Sequence, residues 1–263
     1  MRNFVAVGKI ILLIVVTLYH YSILMCGNVL SVFGVNHIKW SADRRKLWAK
    51  SIASVIGMNI LVKGIPPNPP FFLVSNHLSY VDIWVFYSLL NCTFIAKSEV
   101  RSWPVIGFIL KTSGVLFVDR NKRTDVKRVN DEISTHLTEN QGIVLFPEGT
   151  TSAGSDLLPF KTSLFQYPAS KELPVTCASI SYSSPDSEKP AYQSVCWWND
   201  TPFFKHLFYL FVMKEFTATV TFNDEIVVDS NRKVLASSSY KIIKQTFEPV
   251  IDRDTHAKAS ISS

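Results

Sequence analysis

Between Lys9 and Lys39 the sequence has no Asp, Glu, Lys or Arg. A run this long without charge counts against a helix buried in a soluble core, and it exceeds the 7–15 apolar residues of a cleaved signal peptide. Leu24-Met25-Cys26 also lacks the small residue that a lipoprotein processing site places before its cysteine. Cysteine itself is scarce. Cys26, Cys92, Cys177 and Cys196 are scattered, with no metal-ligand spacing, and read as free thiols of a reducing compartment. The six histidines do not cluster, so no metal site is expected. G-x-S-x-G is absent. The nearest sequence, Ala153-Gly154-Ser155, lacks the flanking glycines of a nucleophile elbow, which weakens a lipase or thioesterase reading. No nucleic-acid-binding module is present either.

What is there is apolar and basic. The 263 residues are 47% hydrophobic and 18% charged, with net charge +6. Residues 1–40 read as a membrane segment. Ile10–Asn36 outruns a hydrocarbon core of roughly 30 Å at about 1.5 Å per residue. It either spans with tilt or breaks near Gly27 or Gly34 into a shallow hairpin. Lys39, Arg44, Arg45, Lys46 and Lys50 follow it, outnumbering Arg2 and Lys9 before it, which puts the main domain on the cytoplasmic face.

Residues 41–70 divide into an amphipathic helix over 41–63, with Ser41 as N-cap, and a Pro-rich linker at Pro66–Pro70. From 71 to 251, short apolar runs at Phe71–Ser75, Thr93–Ala96, Gly114–Val118, Gly142–Phe146, Val175–Tyr182 and Phe216–Phe222 alternate with helical patterns at Val81–Leu90, Pro104–Lys111, Asp125–Leu137 and Val234–Phe247. This alternation predicts an α/β domain with a mixed, largely parallel sheet flanked by helices. Residues 252–263 read as a disordered tail.

Three constellations carry chemistry. In Asn76-His77-Leu78-Ser79-Tyr80-Val81-Asp82, a histidine that can accept a proton near neutral pH precedes a carboxylate that could orient it. Five positions differ by about 140° around a helix, so the two cannot share a helical face. They can meet if His77 lies in the loop after the Phe71–Ser75 strand and Asp82 in the first turn of the next helix. Gly114–Val118 delivers Asp119 and Arg120 at a strand end, and an arginine suits a phosphate or carboxylate. Phe146-Pro147-Glu148-Gly149-Thr150-Thr151-Ser152 ends a strand in a glycine and hydroxyls that could cradle an anion or polyol. Taken singly, each also fits an ordinary loop or a surface arginine.

In this order the three resemble the signature blocks of the glycerolipid acyltransferases, the family that includes 1-acyl-glycerol-3-phosphate acyltransferase. Asn76-His77-x-x-x-x-Asp82 matches the first block, the strand to Arg120 the second, and Phe146-Pro147-Glu148-Gly149-Thr150 the third. Pro174-Val175 resembles a shorter fourth. The likeness runs from about Ser75 to Tyr182. It implies His77 as general base with Asp82 orienting it, Arg120 on an acceptor anion, Glu148, Gly149, Thr150 and Thr151 around the polar acceptor, and Lys97 as a further cation. Thr151 stands where the family commonly has an arginine. With Ser152-Ala153-Gly154 and Leu158-Pro159-Phe160-Lys161, it resembles members acting on lyso-ornithine lipids. The implied reaction moves an acyl group from acyl-CoA or acyl-ACP directly to 1-acyl-sn-glycerol-3-phosphate, with lyso-ornithine lipid or another lysolipid as the alternative acceptor and no cofactor. A lipid-binding protein without catalysis is the reading from another class, and the presence of both His77 and Asp82 counts against it.

Overall fold

The computed structural model describes residues 2–103, 106–118 and 123–252. Its helices and strands begin with α1 (Arg2–Leu30), α2 (His37–Ile56), β1 (Met58–Lys63), β2 (Phe72–Ser75), α3 (Val81–Leu89), β3 (Cys92–Lys97), α4 (Ile106–Thr112) and β4 (Leu116–Val118). They continue with α5 (Arg123–His136), β5 (Gly142–Leu145), α6 (Gln166–Ser170), β6 (Val175–Ser183), α7 (Ala191–Ser194), α8 (Phe203–Val212), β7 (Phe216–Val227) and α9 (Arg232–Thr246).

The strands form one sheet in the order β1-β7-β6-β2-β5-β3-β4. Among the described residues only β6 and β7 pair antiparallel. This is the mixed, largely parallel sheet that the alternating pattern predicts. Such a sheet is buried on both faces, and β2 and β5 are buried at every position. Side chains alternate along a strand, so Leu73 points into a core shared with α2, α3 and α8, while Phe72 and Val74 point into one shared with α5, α6 and α9.

The predicted helix over 41–63 needs correction. Asn36, not Ser41, is the N-cap, accepting the Lys39 N–H at 3.0 Å. The helix stops at Ile56 because Gly57 takes a left-handed conformation (φ 73°) and returns its N–H to the carbonyls of Ala53 and Ser54. A Cβ at Gly57 would lie 2.1 Å from the Lys214 carbonyl oxygen, so only glycine fits this approach to the start of β7. Residues 58–63 then run as β1 beside β7, from Met58 against Phe216. The sheet therefore begins before the Pro66–Pro70 run.

At the N-terminus α1 continues through Gly27, the chain turns at Gly34 (φ 85°), and α2 runs back along α1. Of the two sequence alternatives, this is a hairpin that breaks at Gly34. A Cβ on Gly27 would lie 2.1 Å from the Trp40 ring, so the missing side chain lets the helices close. Trp40 Nε1 donates to Ile23 O at 3.1 Å, and Trp48 Nε1 to Thr17 Oγ1 at 3.1 Å. The other end of α1 is docked on the domain. Ala6 is fully buried, and Lys9 Nζ donates to Met213 O at 2.7 Å. The outer face leaves Phe4, Ile11, Leu12, Ile14, Val15 and Leu18 exposed. By length and composition α1 could cross a membrane.

Candidate active site

β2, β5, β3 and β4 run parallel, so their C-terminal ends share one edge of the sheet. Loops leaving parallel strands at that edge commonly build sites. His77 lies two residues beyond β2, and Asp82 is in the first turn of α3. The short loop between them turns the two side chains together, with His77 Nδ1 2.7 Å from Asp82 Oδ2. A carboxylate oxygen accepts, so Nδ1 carries the hydrogen and Nε2 is left with a free lone pair.

Asp82 is fully buried and fully engaged. Oδ2 also accepts from the Leu78 N–H at 2.8 Å and the Ser79 N–H at 3.2 Å, and Oδ1 accepts from the Tyr182 hydroxyl at 2.5 Å. Burial, then the Asp82 charge, pushes the Tyr182 phenol well above its ordinary range, so it stays a donor. His77 is part-exposed, its side chain retaining 19% of its accessible surface, and its ring stacks on Phe146 at 4.1 Å. Asn76 anchors the loop from beneath. Its amide accepts from the Ile180 N–H at 2.8 Å and donates to the Ile180 carbonyl at 2.9 Å.

Glu148 is 2% exposed and braces three segments. Its carboxylate accepts the His77 N–H and the Leu158 N–H, each at 3.1 Å. Burial pushes its pKa up to about 8, against those two hydrogen bonds, and the Asp82 charge adds to the rise. Gly149 takes a left-handed turn (φ 71°), its N–H returning to Phe146 O at 3.2 Å. Ser152 N donates to His77 O at 3.1 Å, and Lys161 N to Pro147 O at 2.9 Å.

The structure thus brings His77, Asp82, Glu148 and Gly149 together, with the Ser152 N–H on the His77 carbonyl. The Thr151 hydroxyl donates to the Trp197 carbonyl, and Trp197 N donates to Leu78 O at 2.9 Å, so Thr151 ties the loop to the segment before α8. Thr150 is exposed beside it. Lys97 ends β3 at the same sheet edge but makes no hydrogen bond to the pair among the described residues. Arg120 lies outside the described residues, two positions beyond the end of β4.

Sequence reasoning gave no role to Asn76, Phe146, Tyr182 or Trp197. Asn76 adjoins His77 and could have been weighed. Tyr182 and Trp197 carry no local signal. Tyr80 and His206 were also missed as partners. His206 Nε2 must donate to the Cys196 carbonyl (3.0 Å), so its Nδ1 accepts the Tyr80 hydroxyl (3.0 Å).

A family model described as Acyltransferase matches residues 59–181. Over that stretch the chain is similar to the acyltransferase family. The lyso-ornithine lipid O-acyltransferase of Rhodobacter capsulatus is 28% identical over 209 residues, covering 77% of this chain and 75% of that protein. The 1-acyl-sn-glycerol-3-phosphate acyltransferase of Neisseria gonorrhoeae is 35% identical over 141 residues, 51% of this chain and 55% of that one. The crystal structure of the 1-acyl-sn-glycerophosphate acyltransferase from Thermotoga maritima superposes with a TM-score of 0.63 at 18% identity, covering 94% of this chain and 98% of that one. That last likeness carries the fold. Both acceptors expected from the sequence blocks appear among the names of these relatives.

Proposed function

We propose that this acyltransferase moves a fatty acyl group from an acyl thioester to the free hydroxyl of a lysolipid. The observation that carries this is the His77–Asp82 pair, with Nδ1 committed to a buried carboxylate and Nε2 free at the open end of a parallel sheet. His77 Nε2 takes the acceptor's hydroxyl proton while the oxygen attacks the thioester carbonyl. The carbon–sulfur bond breaks, and the departing thiolate takes the proton back from the imidazolium. Asp82 stabilises that imidazolium, while Tyr182 and two backbone N–H groups hold Asp82 in place. Acyl-CoA or acyl-ACP supplies the thioester, and no further cofactor enters this scheme.

For the acceptor we favour 1-acyl-sn-glycerol-3-phosphate, giving phosphatidic acid, with Arg120, Lys97 and the Gly149–Thr151 turn around its polar group. Lyso-ornithine lipid is the second reading. It is favoured by the name of the Rhodobacter relative and by Thr151, whose hydroxyl bonds to Trp197 and supplies no charge. The enzyme would sit on the membrane through the exposed face of α1, with its domain on the cytoplasmic side.

The test is thiol release by the purified enzyme with and without each lysolipid at matched concentrations. Acceptor-dependent release, lost by about 10²–10⁴-fold in His77→Ala, is the expected result. Acceptor-independent release would mean hydrolysis, and undiminished transfer by folded His77→Ala would end the general-base assignment. Use of only one acceptor settles the head group.

A further inference from the structure

At the opposite end of the sheet, α1, α2 and the end of α4 enclose a cavity whose apolar walls are Leu24, Trp48 and Ile109. Its empty space is about 280 Å³, part of it open to solvent. Thr17, His20 and Tyr21 enter it from α1, Arg44 and Arg45 from α2, and Ser113 from the turn after α4. These three α1 residues lie within the charge-free run, and they all line this one cavity.

The lining is rich in unsatisfied positive charge. Arg45 is 4% exposed, yet its guanidinium meets only neutral acceptors: Ser113 O at 2.9 Å, Cys92 O at 3.4 Å and the Gln141 side chain. Arg44 lies over the Trp40 ring, 4.6 Å from its centroid. Among the described residues neither arginine has a carboxylate partner. Asp43 pairs with Lys39 and Asn91, and Glu132 with Arg128. Arg44 Nε, Arg45 Nε and His20 Nδ1 are buried with no hydrogen-bond partner among the described residues. Guanidinium nitrogens can only donate, and leaving such groups buried and unmatched is costly. An anion in the cavity would match them.

We propose that this cavity binds the phosphate group of an anionic phospholipid, apart from the acyl-transfer site. Two guanidiniums offer several donors to one tetrahedral group, the arrangement phosphate favours. A lipid is the fitting source because Ile14, Val15 and Leu18 on α1 are exposed and apolar, giving acyl chains a surface to lie along. Only this choice of source rests on the membrane-seated reading; the binding measurement does not depend on acyl transfer.

The experiment uses the full chain in phosphatidylcholine nanodiscs doped with increasing phosphatidylglycerol, which is neither proposed acceptor nor its product. Thermal unfolding is the readout. Wild type should gain stability saturably with phosphatidylglycerol. Arg44→Gln should move the half-saturation point up by about tenfold or more, as expected for losing a charged hydrogen bond. Lys50→Gln, an exposed charge on the same helix, should leave it unchanged. A flat response in wild type, or equal weakening by Lys50→Gln, overturns the site in favour of diffuse attraction. Arg45→Gln is an additional variant, and Arg44→Gln decides the matter if it does not fold. A parallel titration with inorganic phosphate in neutral detergent separates the sources. Equally tight saturation there overturns the lipid and leaves a free-phosphate site, whereas binding only in the doped bilayer supports the lipid.

Discussion

At the residue scale the site is a set of hydrogen bonds converging on one carboxylate. Tyr182 makes a clear test of that view. Tyr182→Phe keeps the ring and removes the 2.5 Å bond to Asp82 Oδ1. A hydrogen bond to a charged group is worth about 1.5–3 kcal/mol. We expect kcat to fall by about tenfold or more with the acceptor KM nearly unchanged, because Tyr182 holds Asp82 and does not reach the acceptor. A rise in KM with kcat intact would place Tyr182 at the acceptor instead. Glu148 gives a pH prediction. Its pKa stands at about 8 against an ordinary 4.5, so the native state binds more protons than the unfolded chain between those values. Stability from this group is present at low pH and is lost as pH rises through about 8, at up to roughly 1.4 kcal/mol per pH unit. Urea midpoints from pH 5 to 8.5 should show that slope in wild type and a flatter one in Glu148→Gln. Equal slopes would mean Glu148 is ionised throughout. The sequence made His77 and Asp82 legible because five residues of loop and helix suffice to join them. It could not reveal Tyr182, which meets Asp82 from 100 positions away, or that Glu148 faces backbone N–H groups.

Elements were legible where the hydrophobic period was clean and the chain punctuated. The β2, β3, β5 and β6 runs stood out because doubly buried strands are continuously apolar. β1 was not, since Met58–Lys63 follows an amphipathic helix with only Gly57 between them, and its strand character comes from pairing with β7. β7 extends to Val227, beyond the predicted Phe222, because β6 pairs again with Ile226 and Val227 after an irregularity that takes in the polar Asn223–Glu225 stretch. α8 carried no signal of its own: ten residues, mostly apolar, with no side-chain cap. The α1–α2 hairpin is the element most open to test. Gly27→Val should push the Trp40 indole aside and cost about 1–3 kcal/mol, read as a lower thermal midpoint. Gly8→Ala, where a Cβ meets nothing within 4 Å, should be neutral or slightly stabilising. If both behave alike, the close approach at Gly27 is not what holds the hairpin.

On the scale of the whole molecule, the apolar excess of the sequence is concentrated on the free face of α1, while its other face is packed on the domain. We expect the full chain to stay with membranes through high salt and carbonate washing. Ile11→Lys and Ile14→Lys, both on the exposed face, should release it to the supernatant without loss of fold. Continued sedimentation of the folded double variant would move the anchor elsewhere, with the exposed Phe204 of α8 as the next surface to test.

The docking of α1 also sets an order of events during synthesis. Lys9 is held by a carbonyl 204 residues further along, and α1 packs on α8. A ribosome adding about 5–20 residues per second leaves the emerging helix without these partners for roughly 10–40 s. Throughout that interval its apolar side chains need shelter. A bilayer close to the ribosome offers it at once, whereas the domain can offer it only near the end. α1, made long before its partners, is therefore among the last segments to reach its final contacts, and delaying membrane delivery should favour aggregation of the nascent chain well before any effect on the finished enzyme.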